Sequence, residues 1–144
     1  MDFDEYQREF FIRPTPIPRF PFTRIGGVTI TVERFEEACA FYRAVLGPPA
    51  FVEGAEAVGW PLADAWLTLL PGRGGSSAAT VSMTLEVATA AEADRLQQTF
   101  VHAGATASPA RNTFMYEQVR FCPVTDPFGT EIIIVAPLPS SEGP

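Results

Sequence analysis

A chain of 144 residues, 47% of them apolar, is long enough for one compact domain with a sizeable core. The net charge of −7, with every basic residue an arginine, repels phosphate backbones and argues against a nucleic-acid partner, and no apolar run approaches the roughly 20 residues of a membrane span, which argues against a membrane protein. Cys39 and Cys122 lack metal-type spacing and read as buried free thiols, while the acidic start MDFDEYQREFF lacks the basic segment and apolar core of a signal peptide, so the expected location is cytoplasmic.

Residues 1–23 combine five phenylalanines with prolines at 14, 16, 18 and 21. Dense proline opposes helix and central strand, and dense aromatics oppose plain disorder. The segment therefore reads as an extended arm that packs on its own domain or on a partner subunit.

A first strand alternates Val28, Ile30 and Val32 with Gly27, Thr29 and Thr31. A helix is expected from Phe35 to Leu46, with Ala38, Phe41, Tyr42 and Val45 as its buried stripe and Gly47 as its stop. Three short strands should follow, over Ala50 to Val52, Ala57 to Leu62 and Ala65 to Leu70. PGRGGSS at 71–77 reads as a flexible linker. A phosphate-cradle reading of it is weak, because it lacks the lysine of a nucleotide loop.

The pattern then returns. Val81, Met83, Leu85 and Val87 alternate with Thr80, Ser82, Thr84 and Glu86. Thr89 and Glu92 have the spacing of a capping box for a second helix, with Ala93, Leu96 and Phe100 buried and Gly104 closing it. Strands are expected over Thr106 to Pro109, Glu117 to Pro123 and Glu131 to Ala136, the last two joined by the tight turn DPFG at 126–129. The tail SSEGP should fray. The chain is thus two copies of strand, helix and three strands, an α+β fold of paired modules at 24–71 and 79–137, with the tail at 138–144.

"VTITVERFEEACAFYRAVLG", "VSMTLEVATAAEADRLQQTFVHAGA" and the closing "VTDPFGTEIIIV" resemble the vicinal oxygen chelate superfamily of glyoxalase I, bleomycin-resistance proteins and extradiol dioxygenases. The resemblance covers residues 24–137. It implies two βαβββ modules curled into a U-shaped cleft, with helices outside, usually as a homodimer. It also implies four metal-ligand positions, which fall at Gly27, Thr68, Ser82 and Ile133 in this sequence. None offers a nitrogen, carboxylate or sulfur donor, and hydroxyls are poor ligands for the divalent metals concerned. The expectation is a metal-free cleft with no cofactor.

Strand alternation turns Thr29, Thr31, Trp66, Thr68, Leu70, Ser82, Thr84, Glu86, Glu131 and Val135 toward that cleft, with Trp60, Phe114 and Tyr116 overhanging it. Glu86 and Glu131 are candidate general bases if they share a low-dielectric face, or solvated carboxylates at strand ends. Arg120 either holds an anionic ligand, pairs with one of these carboxylates, or is a surface residue. Trp66 and Tyr116 are candidates to stack a planar aromatic ligand, or are core. His102, the sole histidine, suits the negative end of its helix better than acid–base work. The function expected is small-molecule binding without a metal. The alternative is a metal-independent isomerase, lyase or cyclase using a cleft glutamate, and a module serving a protein partner is a third.

Overall fold

The structure is a computed structural model that describes residues 1–72 and 80–139. Of the expected linker at 71–77, Pro71 ends a strand and residues 73–77 lie outside the described residues, as do residues 140–144 of the tail.

Alternating strands and two glycine-stopped helices build one nine-stranded sheet. Its elements run α1 (Phe3–Phe10), β1 (Phe22–Val32), α2 (Phe35–Leu46), β2 (Phe51–Glu53), β3 (Ala57–Leu62), β4 (Ala65–Pro71), β5 (Thr80–Val87), α3 (Ala90–His102), β6 (Thr106–Ala107), β7 (Arg111–Phe114), β8 (Gln118–Thr125) and β9 (Glu131–Pro137). The spatial order is β2-β3-β4-β1-β5-β9-β8-β6, with β7 pairing β8. Each module places its first strand parallel to its last, β1 with β4 and β5 with β9. The modules join where β1 and β5 run antiparallel.

Helix α2 ends where Gly47, at φ 89°, lets its N–H reach the Arg43 carbonyl. At the start of α3, Thr89 accepts a hydrogen bond from the Glu92 N–H, while the Glu92 carboxylate reaches the Ala88 N–H. In the DPFG turn the Asp126 carboxylate accepts from the N–H groups of Phe128 and Thr130, and Gly129 takes φ 93°.

Two cores lie between the sheet and its helices. The first joins Cys39, Val58, Trp60 and Leu69 to Ile30, Phe35, Ala38 and Tyr42. The second joins Val87, Ala93, Leu96, Cys122, Val124, Ile132 and Ile134. Trp60 therefore belongs to the helix side, donating to the Gly47 carbonyl at 2.8 Å, and does not overhang the cleft. Of the stripe expected on α2, Ala38 and Tyr42 pack inward, but Phe41 and Val45 are exposed.

The arm is not wholly extended. Asp2 and Glu5 form a complete capping box that starts α1, whose residues 3–10 contain no proline. Phe3, Tyr6, Phe10 and Phe11 cluster on one side of this helix, and none of its residues is buried.

Candidate functional site

The sheet face away from α2 and α3 is the cleft, and strand register sets its side chains in rows. Thr29 on β1 lies opposite Thr68 on β4 and Ser82 on β5, and Ser82 lies opposite Glu131 on β9. One row along, Gly27 lies opposite Trp66 and Thr84, and Thr84 opposite Ile133. Thr31 sits a row the other way, opposite Leu70 and Thr80. Thr29, Thr68, Ser82 and Thr84 are all buried, so the floor is a band of hydroxyls between apolar walls.

A hairpin spans this floor. Strands β7 and β8 are joined by Met115, Tyr116 and Glu117. Met115 packs with Val119, Ile133 and Val135 of the second module. Tyr116 crosses to the first module. Its ring lies parallel to Trp66 with centroids 3.8 Å apart and 8° between planes, and edge-on to Phe51 at 4.8 Å. Its hydroxyl bonds the Thr68 hydroxyl at 2.5 Å and abuts Gly59, where a Cβ would collide with it. Burial raises the Tyr116 pKa and the bond to Thr68 opposes this only in part, so the phenol stays protonated. Trp66 and Tyr116 thus stack on each other, and no ligand ring fits between them.

Tyr116 divides the cleft. On one side is a cavity of about 660 Å³, within the range of small-ligand sites, walled by Phe51, Phe114, Phe121 and Tyr116 above Thr29, Ser82 and Glu131. On the other is a recess of about 50 Å³ bounded by Arg24, Gly27, Trp66, Thr84 and Glu86.

The two candidate bases are not brought together. Glu131 stands opposite Ser82 and Glu86 opposite Val135, four positions along the strands, or roughly 13 Å at the strand rise. Glu86 is engaged by Arg24, whose Nε lies 3.2 Å from its carboxylate, and the same guanidinium reaches the Asp64 carbonyl in the β3–β4 turn. Arg120 projects to the helix side of β8. There it bonds Asp94 of α3 at 2.9 Å and Asn112 at 3.1 Å, so it is neither a cleft residue nor a partner of Glu86 or Glu131. The Cys122 thiol beneath it is pushed up to about 12 by burial and the Asp94 carboxylate, which makes it inert as a nucleophile. His102 is the last residue of α3.

The four implied ligand positions fall in two rows, Thr68 and Ser82 in one, Gly27 and Ile133 in the next. A Cβ at Gly27 would collide with the Trp66 carbonyl and stand 3.2 Å from the Trp66 nitrogen, so the backbone leaves no room there for a ligating side chain. Among the described residues, no group of three or more His, Cys, Asp or Glu is placed to hold a metal ion. The donors present do not fit the divalent metal that the fold implies. Nor, among the described residues, is any helix long and apolar enough to cross a membrane.

A βαβββ module and a second that adds one short strand, β7, to the same plan share one cleft, and this architecture defines the class. A sequence profile of the Glyoxalase/Bleomycin resistance protein/Dioxygenase superfamily matches residues 24–134, and the chain belongs to that superfamily. Among solved structures it is similar to the Mn(II)-bound glyoxalase from Novosphingobium aromaticivorans, at 17% identity and a TM-score of 0.65, over 80% of this chain and 39% of that one. Homoprotocatechuate 2,3-dioxygenase from Arthrobacter globiformis is similar at 21% identity and a TM-score of 0.66, over 85% of this chain and 39% of the other. A superfamily member from Vibrio splendidus 12B01 aligns at 15% identity and a TM-score of 0.58, over 78% of this chain and 97% of that one. The chain spans about two fifths of the length of the first two, and these likenesses establish the fold alone. No curated protein matches the sequence.

Two features escaped the sequence reading. Strand β7 is short, polar and largely exposed, and gives no apolar alternation. The crossing of Tyr116 to Trp66 depends on a turn that only the β7–β8 pairing creates.

Proposed function

We propose that this chain is a small-molecule binding protein of its superfamily, whose cleft takes a ring-bearing ligand without a bound metal. The observation that carries the reading is a ligand-sized cavity, walled by aromatic rings, over a floor whose polar groups are mainly hydroxyls. Such a site supplies ring contacts and hydrogen bonds. The blocked position at Gly27 supports the metal-free reading. Thr29, Ser82 and Thr68 are the hydrogen-bonding set, and the carboxylates Glu53, Glu117 and Glu131 outnumber the single guanidinium, Arg111, around the cavity, favouring a neutral or cationic ligand over an anionic one.

The test is a thermal-shift screen of neutral and cationic aromatic compounds, followed by mass spectrometry of any hit after long incubation. A binder present at about a hundred times its dissociation constant stabilises the fold by about 2.7 kcal/mol and should be recovered unchanged. Hits recovered as product, with turnover lost in Glu131→Gln, would instead support the metal-independent enzyme. A screen with no hits contradicts both.

The same reading includes a homodimer held partly by the arm. Its support is that α1 buries no residue on its own subunit while Phe3 and Phe10 stand exposed, an apolar surface that monomers rarely tolerate.

A further inference from the structure

The niche that Tyr116 fills has a chemistry of its own. Its floor is the Trp66 ring, its side is Phe51, and its polar contact is the Thr68 hydroxyl beside Gly59, where the absence of a side chain makes room for an oxygen. We propose that this niche is a subsite for a phenol-sized hydroxylated aromatic ring, and that Tyr116 is the chain's own tethered occupant, displaced when such a ligand binds. The proposal rests on the binding function above and names the ligand's ring.

Three observations separate a displaceable occupant from a permanent core residue. Tyr116 has φ 66°, a left-handed conformation that disfavours a residue with a side chain. It sits at the tip of a hairpin whose outer strand, β7, pairs with β8 alone over residues 111–114, so the tip can swing without breaking the central sheet. Tyr116 also lines both cavities, together with Thr29, Thr68, Met115 and Glu117, so its departure joins the recess to the larger space.

Behind the ring the recess holds an unmet polar group. Thr84 Oγ1 is buried without a hydrogen-bond partner among the described residues, and Gln118 Oε1, just past the tip, is likewise unpartnered. Thr84 is 3% exposed and lines the recess. A buried hydroxyl without a partner is costly, and a second polar substituent on a ligand ring would satisfy it.

The probe is p-cresol, whose methyl stands for the tyrosine Cβ. In the wild-type protein, stacking on Trp66 shifts the Tyr116 ring resonances away from those of a free tyrosine. Titrating p-cresol should move them saturably toward unstacked values. Tyr116→Gly, which suits the positive φ, should bind p-cresol about tenfold or more tightly, because the internal competitor is gone. Toluene, lacking the hydroxyl, should bind the variant more weakly than p-cresol. Wild-type ring resonances that stay put while the variant binds p-cresol would show only an engineered cavity and overturn the proposal. Equal affinity in wild type and variant, or equal binding of toluene, would overturn it too. If Tyr116→Gly does not fold, the wild-type displacement decides alone. A wild-type protein that binds other aromatic compounds with Tyr116 undisturbed retains the binding function and loses this inference.

Discussion

The two modules share a plan but close differently. In the second, α3 buries Ala93, Leu96 and Gln97 against β8 and β9, and the Gln97 side-chain amide donates to the carbonyls of Ser108 and Pro123, tying helix, loop and strand together. In the first, α2 buries only Cys39 fully, and Phe41 and Val45 face outward. The hairpin tip repeats the asymmetry, because it is anchored by Met115 in the second module and only leans on the first through Tyr116. The second module is the anchored frame. The first carries the ring niche and an apolar outer surface that its own residues do not cover.

The strongest test of that contrast is a pair of truncations. Ile134→Ala, at a fully buried site of the second core, should cost about 2–5 kcal/mol in urea denaturation, whereas Phe41→Ala on the outer side of α2 should change the monomer's stability by no more than about 0.5 kcal/mol. Comparable losses at both sites would erase the distinction. Gly27→Ala should come next, at about 1–3 kcal/mol, since its methyl meets the backbone of β4 rather than a flexible side chain. A neutral result would reopen that position to a ligating residue.

Much of this was legible beforehand. Helix α2 runs from Phe35 to Leu46 as its spacing requires, and β3 spans Ala57–Leu62, because period and glycine punctuation are local signals. The cleft hydroxyls also followed from alternation alone. What failed depended on other parts of the chain. Trp60 is drawn to the helix side by its partners Tyr42 and Gly47, and Arg120 by Asp94 on a helix 26 residues earlier. Helix α1 had a readable signal, Asp2 and Glu5 at capping-box spacing, obscured by prolines that begin only at residue 14.

The smaller effects refine the picture. Trp66→Ala should weaken a ring-bearing ligand by about 0.5–1.5 kcal/mol beyond the lost contact area, read by titration calorimetry, if the first module's wall is the ring platform. The Cys122 thiol has a folded pKa raised from about 9 to about 12, so the stability from keeping it neutral is fully present below pH 9 and falls as pH rises toward 12. Denaturation midpoints across that range should therefore fall less in Cys122→Ala than in the wild type. Removing residues 1–22 should lower self-association at submicromolar concentration in sedimentation experiments. A truncated chain that keeps its dimer would show that the arm serves only its own subunit.

The central claim is a cleft that binds through rings and hydroxyls without a metal, and elemental analysis of gently purified protein tests it most directly. The account predicts no stoichiometric divalent metal, because Gly27, Thr68, Ser82 and Ile133 offer no nitrogen, carboxylate or sulfur donor and the backbone closes the first of these positions. Stoichiometric zinc, iron, manganese or nickel retained by the chain would contradict it.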